Sequence, residues 1–329
     1  MSFSFFDVFI VIAVMLLMAV PGFVLRKVKL VDKSAIRPLS MVLLYVCQPF
    51  LTLKAFVLSQ AEPSGDLAIN MLIMFGFSVA AHIVTFFILK LIFRTKDPQK
   101  KRGNGALTIC GVFSNAGFMG IPFIEMLTGN PKAVIYATVF MCVFNILIWT
   151  LGVYIVTGDI KMMRPLKALL NPAILVLALA VPLFFLPAAN VFAKVEMLGK
   201  GVKYIGEAAL PVSMSIVGIR MADISFKSLF TSARVYVVAA VKLVMVPLIV
   251  LALTLPFLLT GALNGLDPEH NIIMILVMLT AIPPAASSIA ITERFDGDVD
   301  TAAKGFLLAT LLSIITLPSV LMLLLAVVK

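Results

Sequence analysis

Charge is what this sequence has least of. Only 13% of its 329 residues are Asp, Glu, Lys or Arg, about half the share a water-soluble domain carries. With 62% hydrophobic residues and a mean hydropathy of +1.13, a soluble globular fold is excluded. Cysteine is scarce as well. Cys47, Cys110 and Cys142 lie inside apolar runs, with neither metal-ligand spacing nor a loop position suited to a disulfide, and read as packing residues. The two histidines, His82 and His270, have no nucleophile or metal-ligating cluster beside them, so no enzyme centre is expected. A nucleotide-binding glycine loop is missing, which leaves gradients rather than ATP hydrolysis as the energy source. No apolar run holds an interior acidic pair, which excludes an Asp-based Na⁺/H⁺ antiporter. No Lys or Arg precedes the first apolar run and Asp7 stands at its start, so a cleavable signal peptide is not expected there.

What the sequence has is long apolar runs. Ten are counted, at about 5–25, 36–57, 67–93, 104–127, 133–157, 172–187, 201–222, 235–259, 272–292 and 302–327. Most are close to the roughly 20 residues that carry an α-helix across a bilayer. In lipid the backbone must satisfy its own hydrogen bonds, and nothing alternates as a barrel strand does, so the runs are expected to be helices. The net charge of +10 is not a nucleic-acid signal, because its cations lie in short loops between runs rather than on one basic face. They alternate instead. Arg26, Lys27, Lys29, Lys33 and Arg37 follow the first run, and 19 of the 26 Lys and Arg fall on that same side. By the positive-inside rule that side is the cytoplasm, and both termini are expected outside an inner, cytoplasmic membrane.

The prolines repeat. Ala19-Val20-Pro21 matches Ala180-Val181-Pro182, Pro49 matches Pro211, Pro122 matches Pro284 and Thr150-Leu151 matches Thr316-Leu317, at nearly constant offset and in the same order. Two halves of five runs follow, residues 1–157 and 172–329, joined by a cytoplasmic linker at 158–171. Five is odd, so the second half is expected upside down relative to the first. Inverted repeats of this kind are common in secondary transporters.

Run four reads Gly111-Val112-Phe113-Ser114-Asn115-Ala116-Gly117-Phe118-Met119-Gly120-Ile121-Pro122, and the matching place in run nine reads Ile282-Pro283-Pro284-Ala285-Ala286-Ser287-Ser288. Pro lacks an N–H and clashes with the carbonyl four residues back, so both runs are expected to break. Restarting half-helices would point free N–H groups at the crossing, which favours an anion. Asn115, Gly120, Ile121, Pro122, Pro283, Pro284, Ser287 and Ser288 are therefore candidate substrate contacts, with Gln48 and Ser213 lining the pocket from runs two and seven. His82, inside run three, is either a proton carrier or a neutral ring bonded to a neighbouring helix. Lys242, inside run eight, either snorkels to the interface or meets an anion. Glu125 and Glu207 are expected at solvated outer helix ends.

The stretch Ser114-Asn115-Ala116-Gly117-Phe118-Met119-Gly120-Ile121-Pro122 resembles the Asn-rich, Gly-Ile-Pro signature of the auxin efflux carrier family. Asn145 with Trp149-Thr150-Leu151-Gly152, Asn171-Pro172, Leu210-Pro211-Val212-Ser213 followed by Gly218, and Pro283-Pro284 with Thr310 and Ser313 are similar to it as well. The resemblance covers essentially the whole chain. The long central loop of the plant carriers is missing, so the chain looks like the short bacterial branch, which is associated with small organic acids such as malonate and malate. The resemblance implies an all-α fold similar to that of bile-acid sodium symporters. That fold has ten transmembrane helices in two inverted five-helix repeats, with broken helices four and nine crossing. Asn115, Pro122 and Pro284 carry over as crossover residues, and Asn145 as a polar residue facing them.

The expected function is a carrier for a small organic anion, a mono- or dicarboxylate, working by alternating access. Spans one, two, six and seven would rock against the rest. Coupling to Na⁺ or H⁺ stays open and no cofactor is expected. Beyond the anion and the lipid bilayer no nucleic-acid partner is expected, and a homodimer stays open. The alternatives are a non-transporting receptor or scaffold, a channel, and a sodium-coupled symporter of a bulkier anion.

Overall fold

The computed structural model describes residues 3–223, 229, 232–263, 265–267 and 271–328. Lys227, His270 and Lys329 lie outside the described residues. Those described form helices and turns, with no strand among them. The first three helices are α1 (Phe5–Lys27), α2 (Lys33–Val57) and α3 (Gly65–Ile92). Next come α4 (Pro98–Val112), α5 (Ala116–Thr128), α6 (Pro131–Thr157) and α7 (Pro172–Phe185). The chain continues with α8 (Glu196–Asp223), α9 (Ala233–Leu259), α10 (Ile272–Ala281), α11 (Ala286–Arg294) and α12 (Val299–Val327). Seven of these, α1, α2, α3, α6, α8, α9 and α12, are long and apolar enough to cross a bilayer. The fourth and ninth apolar runs are each two helices, α4 with α5 and α10 with α11, divided where the glycines and prolines predict.

Proline shapes the other helices more subtly. Widened π-type turns occupy Leu43–Cys47, Ala116–Gly120 and Val241–Met245. Each ends two residues before a proline, at Pro49, Pro122 and Pro247. The ring blocks the carbonyl one turn back and offers it no N–H, so the ladder shifts register just ahead of the proline. A fourth such turn, Ile148–Gly152, has no proline after it, and nothing else in the structure explains it.

The helices pack as two groups. In one, α1 lies against α8, and α2 against α7 and α8. In the other, α12 packs on α4, α9 and α11, α10 on α6 and α9, and α3 on α4 and α6. The groups meet where α1 touches α5 and α12, and where α2 touches α6. Small residues permit the closest approach inside the first group. A Cβ on Gly22 would lie 2.1 Å from the Ser215 carbonyl oxygen, and one on Gly218 would lie 1.9 Å from that of Ala19. Backbone contact of this kind is how helices associate when lipid is as apolar as they are. Large apolar side chains such as Leu72, Leu91, Leu175, Leu179 and Ile315 stay exposed on the outer helix faces, as a lipid-facing surface requires.

Candidate functional site

The two broken runs meet at their breaks. The Asn115 N–H donates to the Pro283 carbonyl at 2.9 Å, and the Ala285 N–H donates to the Phe113 carbonyl at 2.9 Å. Ser114 and Pro284 thus form a one-residue antiparallel bridge. Each unpaired backbone group in a lipid-like interior costs several kcal/mol (roughly), so the exchange lets each break satisfy the other. The crossing is buried: Phe113, Ser114, Asn115 and Ala116 are at most 3% exposed.

Neither restarting helix is capped by a side chain. Asn115 precedes the Ala116–Gly120 turn and Ala285 precedes α11, each without a side-chain hydrogen bond to the helix start. Asn115 serves that start through its backbone, accepting from the N–H groups of Met119 and Gly120. Of the other first-turn N–H groups, that of Ala116 donates to the Ser114 carbonyl and that of Ser288 to the Ala285 carbonyl, and the dipoles add positive potential at the crossing. A basic side chain lies beside them. Lys242 is 1% exposed, in the widened turn of α9, and its ammonium donates to the Ser114 hydroxyl at 2.5 Å. Of the two alternatives for Lys242, snorkelling is therefore not observed. The side chain is buried within the widened turn, and among the described residues no carboxylate lies within salt-bridge distance of it.

His82 stands in α3 with its ring between Phe113 and Phe140, centroids 5.6 and 5.0 Å away. Its Nδ1 lies 2.7 Å from the Ser78 carbonyl of its own helix. A carbonyl only accepts, so Nδ1 carries the proton. Nε2 is left as a buried acceptor without a partner. The bond to a neighbouring helix anticipated for a neutral ring is thus a bond to the preceding turn instead.

A second polar group spans the two helix groups. Gln48 of α2 donates from Nε2 to Asn145 Oδ1 at 3.4 Å, and Asn171, at the start of α7, donates from Nδ2 to the same oxygen at 3.3 Å. The amide of Gln48 also approaches Met141 Sδ at 3.5 Å. Gly117 closes over this cluster, since a Cβ there would lie 2.8 Å from Met141 Sδ and 3.7 Å from Gln48 Nε2. The start of α5 and the amide cluster are therefore neighbours. Asn171 entered the sequence reading only through the Asn171-Pro172 resemblance. Its capping role, accepting from the Ala173 N–H at 2.9 Å, was available from an Asn before a Pro at a helix start.

One turn further along α2 and α5 lies a cavity of about 340 Å³, lined in part by Leu51, Lys54, Ile121, Glu125, Lys203 and Glu207. Lys54 bonds Glu125 at 2.8 Å and Glu207 at 3.1 Å. The two carboxylates are half-exposed, as expected, and share one lysine, which was not. Of the other candidates, Gly120 packs against Leu279 and Ile282 of the α10 end. Ser213 is buried on α8, which packs on the Ala116–Gly120 turn. Ser287 is half-buried at the start of α11, while Ser288 is buried and turned toward the Ile109 carbonyl at 3.4 Å.

A family model described as "Membrane transport protein" matches this chain twice, over residues 7–162 and 156–321. The chain belongs to that family, the auxin efflux carriers. The two matches in tandem account for the repeated prolines, and they make the protein a multi-pass membrane transporter from a family of transporters rather than enzymes. No curated protein matches the chain. For this transporter the crossing of α4–α5 with α10–α11, the buried Lys242 and the Gln48–Asn145–Asn171 cluster are the groups with the chemistry to meet a solute.

Proposed function

We propose that this transporter is a secondary carrier for a small organic anion, a mono- or dicarboxylate, built as ten spans in two inverted five-span repeats. The observation that carries the reading is the buried Lys242 ammonium, joined to Ser114 beside two uncapped helix starts. Helix dipoles and a formal charge then act on one place that is shielded from water, where a carboxylate gains most. Asn115 and the first N–H groups of α5 and α11 would hold its oxygens.

Alternating access follows from the packing. The group of α1, α2, α7 and α8 would rock against the group that contains the crossing, and the Gln48–Asn145 contact lies between them. At the end that the charge pattern puts outside, Lys54 of the first group holds Glu125 of the second, a bridge across the seam that rocking would part.

A thermal-shift screen of the purified protein tests the ligand class. Small carboxylates are expected to raise the Tm, by an amount that grows with the logarithm of their concentration above Kd, while the corresponding primary amides leave it unchanged. Repeating the screen with and without sodium and across pH reads the coupling ion. Equal stabilisation by acids and amides would remove the case for an anion.

A further inference from the structure

A cavity of about 220 Å³ lies between the ends of α3 and α6 and the start of α4, at the face that the charge pattern makes cytoplasmic. Lys90, Arg94 and Lys101 line it, and no acidic residue does among those described. All three are exposed, and among the described residues none lies within salt-bridge distance of a carboxylate. Asp97 and Asp159, the acids nearest in sequence, turn instead to Lys100 and to the Lys161 N–H. The floor is fixed. Asn104 is 8% exposed, donates to the Phe93 carbonyl at 2.7 Å and accepts from Arg234 at 3.0 Å. The Lys90 ammonium lies over the rings of Phe86 and Tyr154, 5.4 and 5.9 Å from their centroids, which holds it at the mouth.

The positive-inside bias puts cations on this face, but it does not gather three of them on one cavity without a counter-charge. Lys90 stands in the last turn of α3, and Lys101 Nζ lies 3.8 Å from where a Cβ on Gly158, past the end of α6, would be. A helix C-terminus carries only about half a negative charge, so positive charge is left over. A phosphate matches that surplus. The cavity is several times the volume of about 30 Å³ that a water takes in the liquid, room for a phosphate and the first carbons of its ester. What borders the cavity sets the rest of the ligand. Ile83, Phe87 and Leu91 recur every four residues on α3, which places them on one stripe, and they are 40%, 60% and 73% exposed. Lys90 follows Phe87 by three residues and Arg94 follows Leu91 by three, so the lipid-facing stripe runs straight into the cations.

We infer that the cavity at Lys90, Arg94 and Lys101 holds the headgroup phosphate of an anionic phospholipid, with an acyl chain lying along Ile83, Phe87 and Leu91. A net negative headgroup is required, because the choline or ethanolamine of a zwitterionic lipid would set a fourth cation among the three. The site belongs to the helix group that contains the crossing, and it is independent of which solute is transported.

The test titrates the delipidated full-length transporter, in a nonionic detergent, with dioleoyl phosphatidylglycerol, dioleoyl phosphatidylcholine or glycerol 3-phosphate, and reads each affinity from the Tm. Phosphatidylglycerol is expected to bind at least about tenfold tighter than either of the others. Lys90→Gln, Arg94→Gln and Lys101→Gln, made together, are expected to weaken it about a hundredfold, about fivefold for each cation lost, with the Tm of the lipid-free protein unchanged. The same loss of charge at Lys29, Lys33 and Arg37, exposed cations of the same face outside the cavity, is expected to leave the affinity as it was. Equal losses in the two triple variants would reduce the effect to surface charge and overturn the site. Equal binding of the two lipids would overturn it as well. Glycerol 3-phosphate binding as tightly as phosphatidylglycerol would make the occupant a soluble phosphate ester and overturn the lipid.

Discussion

Lys242→Met is expected to make the ligand-free transporter more stable and, in the same protein, to weaken carboxylate binding by about a hundredfold or more. Both signs come from one fact: the ammonium is 1% exposed, with the Ser114 hydroxyl as its partner and no carboxylate in reach among the described residues. Burying an unpaired charge costs several kcal/mol (roughly), even after relaxation. Methionine fills most of the same space without that cost. The affinity loss follows from the other side of the account, since close charge pairs out of water couple by about 1.5–7 kcal/mol, and a hundredfold change corresponds to about 2.7 kcal/mol. The Tm of the ligand-free variant and the dissociation constant of a carboxylate check the two signs separately. A variant that loses stability and keeps its affinity would make Lys242 a packing residue.

Gly218→Val is expected to abolish accumulation of folded protein. The new Cβ would lie 1.9 Å from the Ala19 carbonyl oxygen and 2.7 Å from the Phe23 nitrogen, both backbone atoms of α1. No side chain can swing aside to make room, so α1 and α8 must separate along the contact that holds the first helix group together. A change of that size belongs with the few substitutions that cost more than about 4 kcal/mol. Gly22→Val, at 2.1 Å from the Ser215 carbonyl oxygen, is expected to behave alike from the other side of the contact. Gly76→Ala is the control. It lies inside α3 with nothing within 4 Å of its added Cβ, and a glycine-to-alanine change within a helix is expected to stabilise it by about 0.5–1 kcal/mol. Size-exclusion profiles in detergent and the Tm of whatever folds give the comparison.

The breaks were legible in the sequence because proline and glycine act locally. Pro122 and Pro283–Pro284 disrupt a helix wherever they stand, and their equal spacing in the two halves marked them as a pair. The exchange of bonds that joins them was not legible, because the Asn115 N–H and the Pro283 carbonyl are backbone groups that every residue type carries. Lys242 divided two readings for a reason of geometry. A lysine two turns from a helix end can reach water if its turn faces outward, and Lys242 lies buried in the widened turn at Val241–Met245. Pro247 could have signalled that turn, since Pro49 and Pro122 stand at the same spacing after theirs. The junction of Lys54 with Glu125 and Glu207 brings together residues 71 and 153 positions apart, which no local pattern encodes. Gln48 and Asn145 were singled out one at a time. The hydrogen bond between them joins positions 97 apart and is hidden for the same reason.

On the proposed function, a carboxylate crosses the membrane by a carrier that opens to one side at a time. Counterflow reads this directly: radiolabelled acid is added outside proteoliposomes preloaded with the same acid unlabelled, and its entry is followed against unloaded vesicles. Saturable entry is expected, accelerated by the internal load and transiently rising above the outside concentration. Saturable binding with no flux in either vesicle, or flux that rises linearly with concentration and ignores the internal load, would contradict it.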